Sequence, residues 1–313
     1  MADKSYLGQP ELHTRAEHRA ALLTYPGNLQ EAFRQAQADP KKTLLGASQG
    51  IPSTFVTKVI ASAKPDFIWF DVEHGIYDRS TLYNSIHAAQ HHSEGRTMAL
   101  VRVPAHDEIS LATALDAGAS GIIFPNMQTV EDVRDMIKKV YYPPIGNRGF
   151  SPWVFTPGIS DASLYSEDLF NMKSSNKHVC IIPQIESIKG MANIEDIAAI
   201  PEVSALMFGP GDYSADAGLD LTVNGAPHPD LLAAITKFIA TGKKYNKPLL
   251  GTAHSPAAVE MMLASGYTAV SVLFDAWSLA GAVNDGMRAA RDILEKDNKE
   301  GTTELVNGKA PHS

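Results

Sequence analysis

Charged side chains accompany the ends of four short apolar runs in this sequence. They are Asp71, Glu73 and His74 in the segment FDVEHG, Arg102 near the end of residues 97–103, Glu186 at the end of residues 179–186, and Asp212 after residues 204–209. Such side chains can act as general bases, anion partners and metal ligands. If the apolar runs are strands of one parallel barrel, their carboxyl ends meet at one mouth, and these groups share a single site.

Glu186 and Asp212 are the predicted metal ligands. About one strand–helix unit separates them, and neighbouring parallel strands lie ~4.8 Å apart, so both carboxylates can reach one divalent ion. Two carboxylates, with the other positions left to water and substrate, suit Mg²⁺. The alternative is that each carboxylate forms a salt bridge in its own loop.

His74 is the candidate general base, and Asp71, three residues before it, is expected to orient its imidazole ring. The alternative for His74 is a loop histidine bonded to the backbone. Arg102 ends an apolar run, where a buried guanidinium needs an anion. It is expected to stabilise an enolate or to hold a carboxylate, and the alternative is a salt bridge to a loop acid.

The segment GPGD offers backbone N–H groups to a substrate. Glycine permits a close approach of the backbone, so the amides of Gly211 and Asp212 are candidates for binding a substrate carboxylate. A plain turn would have the same sequence.

The sequence excludes several other chemistries. No candidate strand carries a lysine in its middle or at its carboxyl end, where a Schiff-base aldolase needs one. The glycine patterns of dinucleotide and nucleoside triphosphate sites are absent from the sequence. Metal-assisted chemistry is therefore favoured.

The composition of the 313 residues limits the class of protein further. A formal net charge of −8 argues against a nucleic-acid partner. The single cysteine, Cys180, excludes an intrachain disulfide and a cysteine-based zinc site. No apolar run is long enough to span a membrane, and the first residues lack the apolar core of a signal peptide. We expect a cytoplasmic enzyme that acts on a small molecule.

Eight apolar runs alternate with helical patterns along the chain. The runs are residues 43–48, 67–72, 97–103, 121–125, 179–186, 204–209, 248–253 and 269–274. Most are too apolar for strands with one wet face, which is typical of parallel sheets. Eight strand–helix units in this length favour an α/β fold of the (β/α)₈ TIM barrel type. An open doubly wound sheet is the alternative, because periodicity does not show closure.

The other segments are predicted to surround this barrel. Residues 1–27 are an N-terminal extension, an extra helix covers Leu29–Ala38, and residues 28–295 form a single catalytic domain. Residues 296–313 are a polar tail without periodicity. The connection 141–176 is longer than an ordinary loop, and long ordered loops are often functional.

Six segments resemble the HpcH/HpaI aldolase family, the metal-dependent pyruvate aldolases. They are FDVEHG, VRVP, LDAGASGIIFPNMQT, YPPIGNRGFS, PQIES and FGPGDYS, in the family's order over about residues 28–290. The resemblance implies a (β/α)₈ barrel packed as a homohexamer of swapped-helix dimers. It also implies Mg²⁺, with Mn²⁺ or Co²⁺ as substitutes, on Glu186 and Asp212, and an α-keto acid that chelates the ion.

The resemblance implies roles for further residues. His74 with Asp71 would handle protons, and Arg102 would stabilise the enolate oxygen. Asp116, in the segment LDAG, matches an acid that acts from an adjacent subunit in the family.

A pocket for a second substrate is implied as well. Its lining would be Trp69, Phe150, Pro152 and Trp153, for which plain packing is the alternative. The resemblance is strongest to a member that adds the pyruvate enolate to a 2-pyrone. That member has a tyrosine where a gap-free reading places Phe170, which offers no hydroxyl donor.

The sequence therefore predicts a lyase that forms a pyruvate enolate from an α-keto acid by decarboxylating oxaloacetate. The same site would make or break a carbon–carbon bond, as in the conversion of a 2-pyrone and oxaloacetate to a benzoate. A class II retro-aldolase for 4-hydroxy-2-oxo acids and a CoA-ester lyase of the citrate lyase branch are alternatives. The latter needs a basic groove for the nucleotide phosphates. The non-enzyme alternative is a barrel that binds a keto acid without turnover, or a purely structural subunit.

Overall fold

Eight parallel strands close into a barrel in this computed structural model, which describes residues 27–93, 95–155, 171–223 and 226–306. The barrel strands are β1 Leu44–Gln49, β2 Phe67–Asp71, β3 Met98–Arg102, β4 Gly121–Phe124, β5 Cys180–Ile185, β6 Leu206–Phe208, β9 Leu249–Thr252 and β10 Ala269–Phe274, and the two strands numbered between β6 and β9 form a separate hairpin described below. The order around the barrel is β1, β10, β9, β6, β5, β4, β3 and β2. The predicted TIM barrel is confirmed, and each strand falls on one of the eight predicted runs.

Helices connect the strands on the outside of the barrel. They are α1 Leu29–Ala38, α2 Thr54–Ser62, α3 Arg79–His92, α4 Glu108–Asp116, α5 Val130–Val140, α6 Met172–His178, α7 Ile188–Ala192, α8 Ile194–Ala198, α9 Pro210–Asp216, α10 Pro229–Lys244, α11 Pro256–Ala264 and α12 Asp275–Val306. Side-chain caps fix several helix starts. The Thr129 hydroxyl and the Asp132 carboxylate, for example, form a capping box at α5.

Both faces of the strands are buried, which explains their apolar sequences. In β2, Phe67 and Trp69 belong to the cluster inside the barrel, whereas Ile68 and Phe70 pack under the outer helices. This alternation follows from the two-residue period of a strand. Every second side chain of a strand therefore points into the barrel, toward its axis and its mouth.

The extra N-terminal helix α1 closes the barrel at the amino ends of the strands. Its buried residues Leu29 and Phe33 join the inner cluster with Leu44 and Leu100. The predicted extra helix is confirmed, with the bounds that the sequence indicates. Because α1 fills the amino end, the carboxyl end is the open mouth.

The structure differs from the sequence-based expectation at two places. A two-stranded hairpin, β7 Thr222–Val223 and β8 Ala226–Pro227, follows α9 and was not predicted. Helix α12 continues to Val306 and so passes the predicted boundary at residue 296 without a break in the backbone. The division into domains stays a prediction. Among the helices of the described residues, none is long and apolar enough to cross a membrane.

Candidate active site

A cavity of about 650 Å³ opens at the carboxyl ends of the strands. Its lining includes the predicted site residues Trp69, Asp71, His74, Arg102, Gly211 and Asp212. Glu186 lies beside it, since its carboxylate bonds to Gln184, which also lines the cavity. Strand ends far apart in the sequence thus meet at one mouth, as expected for this fold.

Arg102 is held by two carboxylates at this mouth. Its Nε and Nη2 donate to Asp71 Oδ1 and Oδ2 at 2.9 and 2.6 Å, and its Nη1 lies 3.2 Å from Glu73 Oε2. The strand register explains the first pair, because Asp71 of β2 and Arg102 of β3 are direct neighbours. A bidentate pair of this kind fixes the guanidinium in position and orientation.

The guanidinium of Arg102 stays charged although it is buried. Burial disfavours the charged form, but the bonds to Asp71 and the charges of Glu73 and Glu186 outweigh it and raise the pKa of Arg102. The guanidinium also lies 5.1 Å from the centre of the Trp69 ring. Arg102 is therefore a fixed positive charge at the cavity wall.

The structure corrects the expected partnership of Asp71 and His74. Asp71 Oδ1 accepts from the backbone amides of Glu73 and His74, at 3.1 and 3.3 Å, and its side-chain partner is Arg102. His74 Nε2 instead lies 3.8 Å from Glu73 Oε2. Asp71 therefore organises the turn that carries His74 and does not orient its ring. The catalytic role of His74 stays a prediction.

Glu186 is a buried acid with few compensating charges. Its Oε1 accepts from the Asn126 amide at 2.7 Å, and its Oε2 accepts from Gln184 Nε2. Burial first, and then repulsion by Asp212 and Glu73, raise the pKa of Glu186 to about 7. A divalent cation beside these carboxylates would remove that penalty.

The donor set at the mouth fits a hard divalent ion. Glu186 supplies a buried carboxylate, and Asp212 supplies an exposed one from the first turn of α9. The described residues contain no cluster of three histidine, cysteine or acidic side chains arranged around one ion. Two protein carboxylates, with water and substrate completing the coordination, match the way Mg²⁺ is held in enzymes.

Two residues that the sequence analysis missed support Glu186. Gln184, two residues earlier on the same face of β5, donates to its carboxylate, and the Gln184 Oε1 has no partner among the described residues. Gly209, just before α9, packs against it: a Cβ there would collide with the Glu186 side chain and lie 2.9 Å from Gln184 Nε2. In the sequence, Gln184 could have been found by its spacing of two residues from Glu186, and Gly209 by its position just before a proline.

We expect Gly209→Ala to weaken Mg²⁺ binding at least tenfold, because the added methyl group displaces the Glu186 carboxylate. Isothermal titration of the metal-free protein with Mg²⁺ measures the effect. Gly149→Ala is the control, since Gly149 lies outside the mouth and no atom beyond its chain neighbours lies within 4 Å of a Cβ there. Equal affinities of the two variants would contradict the assignment of Glu186 as a ligand.

We also expect Mg²⁺ affinity to depend on pH through Glu186. The pKa of Glu186 is about 7 in the folded protein, whereas the ordinary pKa of a glutamate is 4.5. The contribution of Glu186 to the stability of the metal-free protein therefore declines as the pH rises from 4.5 to 7. Because Mg²⁺ displaces this proton, its affinity should rise about tenfold per pH unit below pH 7 and then level off. Titrations at pH 6, 7 and 8 test this, and a pH-independent affinity would contradict it.

Other predicted site residues lie away from this cavity. Asp116 Oδ1 bonds to Arg148 Nη2 at 2.7 Å, in a separate groove between α4 and α5. Phe150 and Pro152 are exposed and do not line the mouth of their own chain. Phe170 and the side chain of Trp153 lie outside the described residues. A role of Asp116, Phe150 or Pro152 at the mouth would need a second subunit, and the roles of all five residues stay predictions.

The barrel is that of a known family. The sequence profile of the HpcH/HpaI aldolase/citrate lyase family matches residues 52–282, and the chain belongs to this family. It is a carbon–carbon lyase of the metal-dependent pyruvate aldolase type.

Individual relatives agree with this family. The chain is similar to macrophomate synthase: the crystal structure of that protein matches with a TM-score of 0.86 and 56% identity, and the match covers 94% of this chain and 99% of that chain. The 2-dehydro-3,6-dideoxy-6-sulfogluconate aldolase of Pseudomonas putida is 31% identical over 233 residues, which are 74% of this chain and 87% of that protein. The 5-keto-4-deoxy-D-glucarate aldolase of Klebsiella pneumoniae is 32% identical over 228 residues, which are 73% of this chain and 84% of that protein.

Proposed function

We propose that this chain decarboxylates oxaloacetate to the enolate of pyruvate and joins the enolate to a second carbonyl compound. The observation that carries the proposal is the Arg102 guanidinium, fixed by Asp71 at the same mouth as Glu186 and Asp212. A cation beside two carboxylates is the arrangement that can hold both a metal ion and an anionic substrate.

The reaction needs stabilisation of negative charge on the C2 oxygen. Loss of CO₂ breaks the C3–C4 bond of oxaloacetate and leaves its electron pair in the enolate. Glu186 and Asp212 would hold Mg²⁺, or Mn²⁺ or Co²⁺ as substitutes. The bound ion would act as a Lewis acid that stabilises this charge. Arg102 supplies a second, permanent positive charge at the mouth. Because Asp71 holds it before substrate arrives, little reorganisation is needed.

The remaining groups bind substrate and move protons. The amides of Gly211 and Asp212, in the first turn of α9, are offered to the substrate carboxylate. His74, on the exposed turn after β2, delivers a proton to C3 when pyruvate is the product. Without that proton, C3 of the enolate remains a nucleophile for an acceptor.

The acceptor that we propose first is a 2-pyrone, which gives a benzoate. The identity of 56% to macrophomate synthase supports this choice. A retro-aldolase for 4-hydroxy-2-oxo acids is the second candidate, because it uses the same enolate and because relatives are aldolases. A CoA-ester lyase is disfavoured, because the described residues that line the mouth include no lysine to bind the nucleotide phosphates.

We expect protein incubated with oxaloacetate, Mg²⁺ and a 2-pyrone to form a benzoate that liquid chromatography with mass spectrometry detects. Pyruvate should be the product when the pyrone is left out. Formation of pyruvate alone in both reactions would contradict the 2-pyrone as acceptor and favour the retro-aldolase candidate.

A homohexamer and a cytoplasmic location also belong to this proposal. Apolar side chains of α12, among them Leu279, Val283 and Met287, are exposed in the single chain, which suits burial by a second copy. Light scattering of the purified protein measures the assembly.

A further inference from the structure

The mouth cavity has two chemically different sides. The ends of β2, β3 and β6 contribute Asp71, Arg102 and Asp212. The strands β9, β10 and β1 are neighbours on the other side of the barrel. Their ends and following segments contribute His254, Phe274, Trp277, Ile51 and Pro52 to the cavity lining. The side opposite the charged groups is therefore largely apolar and aromatic.

The aromatic side is built from rings in contact with each other. Phe274 and Trp277 stack with 5.0 Å between ring centres and an angle of 29°. His254 meets Trp277 edge-on, with 4.9 Å between ring centres. Trp277 is 63% exposed in the single chain and is one of the residues that line the cavity, so its ring can contact a ligand there. A flat ring can therefore pack against Trp277.

Asp275 holds this side in place. Its carboxylate accepts from the amides of Gly50 and Ile51 at 2.9 and 3.0 Å, and it is itself buried. The start of α12, which carries Trp277, is thereby attached to the loop after β1. Because the Asp275 carboxylate accepts these hydrogen bonds and does not line the cavity, it adds no charge to the cavity surface.

The cavity is larger than a keto acid requires. Cavities of about 650 Å³ hold drug-sized molecules in other proteins, whereas oxaloacetate has only four carbons. Space for a second reactant therefore remains beside the charged side. The chemistry of the aromatic side decides which class of reactant fits there.

We propose that Phe274, Trp277 and His254 form the acceptor subsite, that this subsite takes a flat ring compound with an electrophilic carbon, and that Trp277 determines this specificity. The inference rests on the proposed formation of the enolate. In the bond-forming step, C3 of the enolate attacks the electrophilic carbon. The π electrons of the acceptor move to its carbonyl oxygen, which takes a proton from solvent, and the C2 oxygen becomes a ketone.

The test compares two aldehyde acceptors in the presence of oxaloacetate and Mg²⁺. Benzaldehyde is the flat ring probe, and glycolaldehyde is the small polar probe. Chromatography measures the 4-hydroxy-2-oxo acid products, and CO₂ release measures decarboxylation. We expect the wild-type protein to have the lower KM for benzaldehyde. Trp277→Ala should raise this KM at least tenfold and change the glycolaldehyde KM and CO₂ release less than twofold, whereas Trp277→Phe should restore most of the benzaldehyde affinity.

Two further variants complete the test. Leu232→Ala, at an exposed leucine of α10 outside the cavity lining, is the control and should leave both KM values unchanged. An unchanged benzaldehyde KM in Trp277→Ala, with normal CO₂ release, overturns the acceptor subsite. If Phe150→Ala raises the benzaldehyde KM and Trp277→Ala does not, the acceptor subsite is also overturned, because the acceptor would then bind at the connection 141–176. Absence of CO₂ release from the wild-type protein would instead overturn the proposed function on which the subsite depends.

Discussion

Glu186→Gln is expected to lower the rate of oxaloacetate decarboxylation about a thousandfold, because it removes the buried charge that would hold the metal ion. Glutamine has nearly the same shape and can still accept from the Asn126 amide. The variant should therefore fold. It should also unfold at a higher temperature than metal-free wild-type protein at pH 8, since no charge is then buried. Initial rates of CO₂ release and thermal unfolding measure the two effects.

Glu195→Gln is the matched control for this substitution. Glu195 is partly exposed on α8 and pairs with Lys244, outside the lining of the mouth, so its replacement should leave the rate unchanged. A Glu186→Gln variant that is folded and as active as the control would show that decarboxylation does not use this carboxylate.

Arg102→Lys is expected to lower the same rate by a factor of about 100 to 1,000, the usual effect of losing one donor that stabilises an oxyanion. Lysine keeps the positive charge but cannot form the two parallel bonds to Asp71 while also facing Glu73. The charge should therefore lose its fixed position. The Mg²⁺ affinity should change much less than the rate.

Arg34→Lys serves as the control, because Arg34 forms an exposed pair with Glu31 on α1. Circular dichroism and thermal unfolding verify that Arg102→Lys remains folded, since removing one partner of a buried pair is destabilising. A folded variant with wild-type kcat would contradict the role of Arg102, whereas a raised KM with unchanged kcat would assign Arg102 to substrate binding alone.

The barrel and its mouth could be predicted from the sequence because parallel strands buried on both faces have unmistakable apolar runs. The position of Glu186 and Asp212 at the mouth could be predicted in the same way, because each comes at or just after the carboxyl end of such a strand. The partner of Asp71 could not be predicted in this way. Its sequence neighbour His74 is three residues away, but the register of β2 against β3 places Arg102 directly beside it. Registers between strands are long-range facts that local spacing does not contain.

The supporting and acceptor residues were harder to predict for a similar reason. Gly209 matters because of how closely α9 approaches Glu186, which is a packing distance. Trp277 lies in the first turn of the last helix and becomes part of the mouth only when β10 pairs with β1. Phe150 and Pro152, implied by the resemblance, do not line the mouth within one chain. The residues just before them, 147–149, line the groove between α4 and α5 instead.

The most direct test of the central claim is the metal dependence of oxaloacetate decarboxylation. Protein is treated with EDTA and desalted, and Mg²⁺ is then added stepwise, with a protein-free blank at each concentration to subtract the reaction of oxaloacetate with the ion alone. We predict that the treated protein is inactive, that Mg²⁺ restores the rate in a saturable way, and that Asp212→Asn requires more Mg²⁺ for half of the effect. A rate that EDTA leaves unchanged would contradict a metal site formed by Glu186 and Asp212.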